Sequence, residues 1–363
     1  MKNQYCIIMA GGVGTRFWPM STTAHPKQFL DILGTGKTLI QQTYDRFKEL
    51  CLPENIYIVT SENYENLVLE QLPLIPKENI LTEPSRKNTA PCIAYATYKI
   101  HKKNPDAITV VAPSDHLITK EDVFVKAIKS CYTKAKAEDC LVTLGITPTR
   151  PDTGYGYIQF IETNLPEEKD KRMFKVKTFA EKPELEQAKF FMDSGDFLWN
   201  SGIFIWSTKS FIKSLETNDS ELATIFRDGL PYYNTPQEKE FISKAYNICK
   251  NISIDFALME KAENVFVRVS LIGWSDLGTY GSLFKHLKHD KGNNALVGKN
   301  IMQYDCKNTI VHVPKDKLVV VQGLDDYIIV ESEGILLICK KQDEQQIRNF
   351  VNDVKVQKGD KFV

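Results

Sequence analysis

Four short runs of apolar and β-branched residues, YCIIMA (5–10), NIYIVT (55–60), AITVVAP (107–113) and CLVTLGI (140–146), recur through the first half of the chain. Each is too short and too evenly apolar for an amphipathic helix and reads as a strand buried on both faces, the condition of a parallel sheet. Between them lie stretches of helical character, Asn63 to Gln71, Ala90 to Lys103 and Val123 to Lys136. This alternation predicts βαβ units and an α/β fold, a Rossmann-like doubly wound mixed sheet whose ligands gather beyond the carboxyl ends of its strands. After Thr147 the pattern loosens. The strand-like segments GYGYIQFI (154–161), FKVKTFA (174–180), WNSGIFIW (199–206) and VFVRVSL (265–271) are interspersed with helices, as expected of a substrate-binding half built onto the same sheet.

The segment HDKGNNA (289–295), rich in Gly, Asn and charge, reads as a linker. It divides an expected large domain over 1–288 from a small C-terminal β-rich domain over 289–363. The small domain should hold four or five short strands, with turns at VPKDK and GLDD, and a final helix from Asp343 to about Val354. Lys and Arg number 46 against 46 Asp and Glu, so no global field favours nucleic acid or a membrane surface, and any polyanion must be met by a local cluster. No apolar run is long enough to span a bilayer. The 8 cysteines are scattered without a CxxC pair, and Met1 leads straight into the first strand without a charged leader and cleavage site, so reduced thiols and a cytoplasmic location are expected.

The first strand runs into Gly11-Gly12-Val13-Gly14-Thr15-Arg16, then Phe17-Trp18-Pro19 and Pro26-Lys27-Gln28. Glycines let backbone N–H groups approach a polyphosphate, and Arg16 and Lys27 supply charge. Two familiar phosphate motifs are excluded. A dinucleotide fingerprint needs a third glycine where Phe17 stands, and the GTGKT run (34–38) would place the first glycine of a P-loop on Asp31. A tight turn and a solvated arginine are the bland alternative. Two aspartates at predicted strand ends suit Mg²⁺, which takes one or two carboxylates and fills its shell with phosphate oxygens and water. They are Asp115 in PSDH and Asp276 in GWSDLGT, each of which could otherwise serve only a turn or cap. In FAEKP (179–183), acidic Glu181 and Pro183 fit the start of a helix near Pro183. Lys182 does not, because a cation is unfavourable there unless an anion binds.

The string GGVGTRFWPMS with PKQF resembles the signature of the sugar nucleotidyltransferases, closest to their mannose-1-phosphate guanylyltransferase branch, with Phe17 and Met20 where that family has leucine. PSDH, WSDLGT, FAEKP, NSGIF, GYGYI and EPSRKNTAP (83–91) resemble further motifs of the family in the same order, over roughly the first four fifths of the chain. The resemblance implies an enzyme joining GTP to mannose 1-phosphate. In it Gly11, Gly12, Gly14 and Thr15 hold the nucleotide phosphates with Arg16, and Lys27 reaches the reacting phosphates. Asn88 and Thr89 lie by the base, and Asp115 and Asp276 hold Mg²⁺, Asp115 also serving the nucleotide. Glu181, Asn200 and Gly156 meet the sugar, and Lys182 binds its phosphate. Asp255 in SIDFALMEKA (253–262) is expected as a helix N-cap rather than a ligand contact, and His116 is given no chemistry. A homodimer is expected. Another sugar and base, such as glucose 1-phosphate with dTTP or UTP, or a non-catalytic nucleotide-sugar sensor, are the alternatives. Longer relatives add an isomerase domain with a His-rich metal motif, and the 6 histidines here form no such cluster.

Overall fold

The computed structural model describes residues 1–162, 168 and 170–363. The chain forms two compact units: Met1–Gly11, Tyr44–Ser114 and Ile118–Trp274 make the first, and Gly12–Thr43, Asp115–Leu117 and Ser275–Val363 the second. No helix among the described residues is long and apolar enough to cross a membrane.

The first unit is built on a nine-stranded sheet. Its strands are β1 (Gln4–Met9), β2 (Ile56–Ser61), β3 (Ile80–Glu83), β4 (Ile108–Pro113), β6 (Leu141–Ile146), β7 (Gly156–Phe160), β8 (Met173–Glu181), β9 (Phe197–Ser207) and β10 (Val265–Val269), with a two-residue strand β5 (Leu117–Ile118) outside it. The order is β3-β2-β1-β4-β9-β6-β10-β8-β7. The parallel strands are the four apolar runs read from the sequence, together with β3 and β10. Strand β9 is inserted antiparallel between β4 and β6, which makes the sheet mixed. Along β1, Tyr5 and Ile7 join the core beneath the helix Thr89–Lys103, while the equally buried Cys6 and Ile8 point to the opposite face. Burial on both faces explains why these runs are continuously apolar.

Two details of this sheet aim side chains. The register between β6 and β9 shifts between Thr143 and Gly145, and a Cβ on Gly145 would lie 2.5 Å from Leu198 Cδ1 and 2.6 Å from Val267 Cγ2. Only glycine fits there, and the irregularity sets Asn200 opposite Gly145. Further along β9, the fully buried Trp206 stacks on Phe204 at 5.6 Å and on Phe211 at 5.1 Å, pinning the inserted strand to the following helix, Thr208–Asn218.

The second unit contains six short strands after residue 294. Ala295–Val297, Ile310–His312 and Tyr327–Ser332 pair in parallel and are closed by antiparallel Ile335–Lys340, and Asn300–Tyr304 pairs in parallel with Leu318–Gln322. The chain thus alternates between two sheets, coiling around Val311, Val313 and Ile329. On the other face Ile310, Ile328 and Val330 join Phe17, Trp18, Tyr280 and Ile347 in a second core. The 289–295 segment is an ordered turn rather than a loose tether: buried Asn294 donates to Cys306 O at 2.9 Å and accepts from Thr309 N at 3.0 Å. Sequence pattern cannot foresee this, because it sees polar residues and not the backbone groups they satisfy. The final helix starts later than expected, at Ile347, after a 3₁₀ stretch Lys341–Gln346, and runs to Lys358.

Truncating Trp206 to alanine should cost about 3–5 kcal/mol, because β9 would lose its stacked anchor and leave a cavity. Urea unfolding measures this, and a loss under about 1 kcal/mol would show that β9 is held elsewhere.

Candidate active site

The glycine loop forms a 3₁₀ turn, Thr15–Phe17, entered through Gly14 in the left-handed region at φ 76°. A Cβ on Gly14 would sit 2.5 Å from Lys27 Cβ, so this glycine is needed both for its backbone and for the approach of the lysine. The PKQ segment returns under the loop. Lys27 N donates to Val13 O at 3.2 Å, Gln28 Nε2 donates to Gly12 O at 2.9 Å, and Ser21 Oγ donates to Val13 O. Phe17 is buried, 5.0 Å from the Tyr280 ring, whose hydroxyl donates to Phe17 O at 2.8 Å. Phenylalanine here serves packing.

Lys27 is nearly inaccessible, yet its ammonium donates to Asp115 Oδ2 at 2.9 Å and to Asp276 O at 2.8 Å. Burial by itself would raise the Asp115 carboxyl; the charges of Lys27 and His116 and the Lys27 hydrogen bond hold it below its usual value. Asp276 Oδ1 accepts from Gly278 N at 3.0 Å across Leu277, which is held at φ 44°. Asp276 therefore does make the turn weighed as its bland role, and that turn also fixes its carboxylate. Gly14, Thr15, Arg16, Lys27, Asp115 and Asp276 line one cavity of the second unit, together with Arg348 of the final helix. The Arg16 Nε is buried there with no hydrogen-bond partner.

The first unit holds two further clusters. In one, a Cβ on Gly156 would meet Glu181 Oε2 at 2.6 Å and Asn200 Cβ at 3.5 Å, so the glycine clears space beside both side chains. Asn200 Nδ2 donates to Asp255 Oδ1 at 2.8 Å. Burial and the nearby charge of Glu181 push the Asp255 carboxyl up to about 6, against the Asn200 hydrogen bond. Asp255 is thus not the helix N-cap expected of it; Ile254 holds that position, and Asp255 joins the polar cluster. Lys182, at φ 47°, is largely exposed and its Nζ lies 2.7 Å from Glu181 Oε1. The next helix begins at Leu185, capped by Glu184, leaving Lys182 outside its first turn.

In the other cluster Asn88 caps the helix Thr89–Lys103 at φ 68° and ψ −167°, a conformation that costs about 1–3 kcal/mol and persists only where the surroundings enforce it. Thr89 Oγ1 accepts from Ile254 N at 2.9 Å, tying this corner to the 252–254 segment. Sequence reasoning missed Glu83, at the end of β3. Its carboxylate accepts from Tyr246 OH at 2.8 Å, and its Oε2 would lie 3.3 Å from a Cβ on Gly11. Burial pushes it up to about 7, against Tyr246 and Arg86. The signal available was an acidic residue closing an apolar strand.

A carboxyl raised by folding destabilises the fold once it ionises. Its contribution is most favourable below the unfolded pKa near 4.5 and is lost as pH rises toward 7. Glu83→Gln should therefore flatten part of the fall in melting temperature between pH 4.5 and 7. An unchanged slope in the variant would refute the burial of this charge.

A model of the nucleotidyl transferase family matches residues 5–292. The mannose-1-phosphate guanylyltransferase 2 of Escherichia coli O157:H7 is 35% identical over 364 residues, covering 98% of this chain and 74% of its own length. The mannose-1-phosphate guanylyltransferase of Salmonella montevideo is 34% identical, with 97% of this chain and 74% of its own length covered. A crystal structure described as mannose-1-phosphate geranyltransferase, from Thermus thermophilus, matches with a TM-score of 0.83 at 26% identity, over 97% of this chain and 99% of its own. The chain belongs to the nucleotidyl transferase family, in its mannose-1-phosphate guanylyltransferase branch.

Proposed function

We propose that this chain transfers GMP from GTP to mannose 1-phosphate, giving GDP-mannose and pyrophosphate. The observation that carries the reading is the pair Asp115 and Asp276, held by one buried lysine in a cavity also lined by Arg16. A phosphate oxygen of mannose 1-phosphate attacks the α-phosphorus of GTP, forming the new P–O bond. The bond to the β-phosphate oxygen breaks, and pyrophosphate leaves with the electron pair. No general base is needed, since the second phosphate pKa is about 6 and the nucleophile is ionised at neutral pH.

Two carboxylates suit Mg²⁺, an ion that takes its other ligands from phosphate and water. Asp115 and Asp276 would hold it, and when bound it supplies neutralisation of the triphosphate charge. The backbone of Gly11, Gly12, Gly14 and Thr15 cradles the phosphates, and Arg16 binds the departing pyrophosphate. Lys27 fixes Asp115 and adds positive charge where negative charge accumulates. Glu181 and Asn200 accept and donate to sugar hydroxyls above Gly156, and Lys182 takes the sugar phosphate. Guanine presents a ring N–H and an amine on one edge. Glu83 supports its selection as a buried acceptor, with Asn88 and Thr89 shaping the corner, because a buried polar group left unpaired penalises the wrong base.

The exposed outer faces of Asn300–Tyr304 and Leu318–Gln322 carry Met302, Tyr304, Leu318 and Val320, an apolar patch that supports a homodimer. All 8 cysteines are free, in keeping with a reducing cytoplasm.

Pyrophosphate release should be measured with Mg²⁺ across GTP, ATP, CTP, UTP and dTTP, each against mannose 1-phosphate and glucose 1-phosphate. Release confined to GTP with mannose 1-phosphate is expected; preference for glucose 1-phosphate with dTTP or UTP would overturn the substrate assignment. Asp276→Ala and Lys27→Ala should each lower the rate by about 10²-fold or more while circular dichroism shows a folded chain. Near-normal rates in either would remove that residue from the site.

A further inference from the structure

The cavity that holds Lys27, Asp115 and Asp276 is also lined by two arginines from opposite ends of the chain, Arg16 in the glycine loop and Arg348 in the final helix. Lys27 has its carboxylate partner in Asp115. Among the described residues neither arginine has one, and the Arg16 Nε is buried without any acceptor. Two like charges share one concavity, and a buried guanidinium nitrogen is left unpaired. Each condition is unfavourable by itself and both are relieved by one ligand, an oxyanion large enough to take hydrogen bonds from two guanidiniums. Partial burial and then the charge of Arg16 make it harder to keep Arg348 protonated, in keeping with two cations close together.

The position of Arg348 is fixed by packing. Ile347, Phe350, Val351 and Val354 of its helix join Phe17, Trp18 and Met20 in one core, and Trp18 Nε1 donates to Phe362 O at 2.7 Å, so the end of the chain is bound to the turn that carries Arg16. Arg348 lies outside residues 5–292, the span matched by the nucleotidyl transferase model.

Resting on the function proposed above, we propose that Arg348 is a substrate-binding residue, pairing with Arg16 to grip the β- and γ-phosphates of the nucleoside triphosphate and the pyrophosphate they become. The C-terminal helix then contributes directly to the nucleotide site. Planar guanidiniums suit this role because each can offer two parallel N–H groups to one phosphate, which lysine cannot.

Calorimetric titration of the full chain with inorganic pyrophosphate, in Mg²⁺ buffer, should show Arg348→Ala binding on the order of tenfold to hundredfold more weakly than wild type, the worth of one or two charge-assisted hydrogen bonds. The KM for GTP should rise with it, while the KM for mannose 1-phosphate moves by less than about twofold, and Arg348→Lys should recover part of the loss. Unchanged pyrophosphate affinity in Arg348→Ala would overturn the proposal, as would equal weakening toward both substrates, the mark of a merely structural role. A wild-type chain that binds pyrophosphate but makes no GDP-mannose would sink the function proposed above and leave the comparison of affinities decisive. A wild-type chain that does not bind pyrophosphate would overturn both.

Discussion

A lysine ammonium withdrawn almost wholly from water is the interaction on which the cavity lined by Arg16, Asp115 and Asp276 depends. Such a charge is tolerated only if its hydrogen bonds are made inside the protein. Lys27 makes them to the Asp115 carboxylate and the Asp276 carbonyl, while its own backbone N–H and the side-chain amide of Gln28 donate to the glycine loop. Three stretches far apart in sequence are thereby held in register by one side chain. Gly14 is glycine because Lys27 must pass beside it, and Phe17 is large because the turn needs a floor. The loop commonly read as a phosphate cradle is therefore also the collar of a buried cation. On the function proposed above, it would meet a triphosphate with charge already positioned and no reorganisation left to perform.

The first unit shows the same economy in a different form. Gly145 lets β9 bend so that Asn200 is presented, and Gly156 clears room beside Glu181 and Asn200. Asn88 and Lys182 are held in backbone conformations unfavourable to side chains that have a Cβ. Strain of this kind persists where a neighbouring structure enforces it and is common where ligands are gripped. The buried carboxyls of Glu83 and Asp255 add polar groups whose ionisation burial makes costly even with Tyr246 and Asn200 donating to them.

The sequence showed the sheet where burial leaves a simple trace, as in β1, β2, β4 and β6, whose apolar runs reflect cover on both faces. It did not reveal that β9 enters antiparallel between β4 and β6, because a run such as IFIW carries no direction. Gly14, Thr15, Arg16, Lys27, Asp115 and Asp276, which the motifs single out, do line one cavity, although each residue type also has ordinary uses in turns and caps. Glu83, Asp255 and Arg348 were not. Burial decides the role of the first, a partner 55 residues away that of the second, and the packing of the last helix on Trp18 that of the third. None of these leaves a local pattern. The turn at Asp290 to Ala295 misled for a related reason, since Asn294 satisfies backbone groups that composition cannot show.

Lys27 binds the loop and the aspartates into one unit, and a double-mutant cycle on folding stability measures that coupling. Lys27→Met and Asp115→Asn, singly and together, would be compared by urea unfolding. Strong non-additivity is expected, with a coupling of about 1–3 kcal/mol, because either change alone strands the other charge. Additivity within about 0.5 kcal/mol would mean that the two groups are neighbours without being partners, and would contradict it.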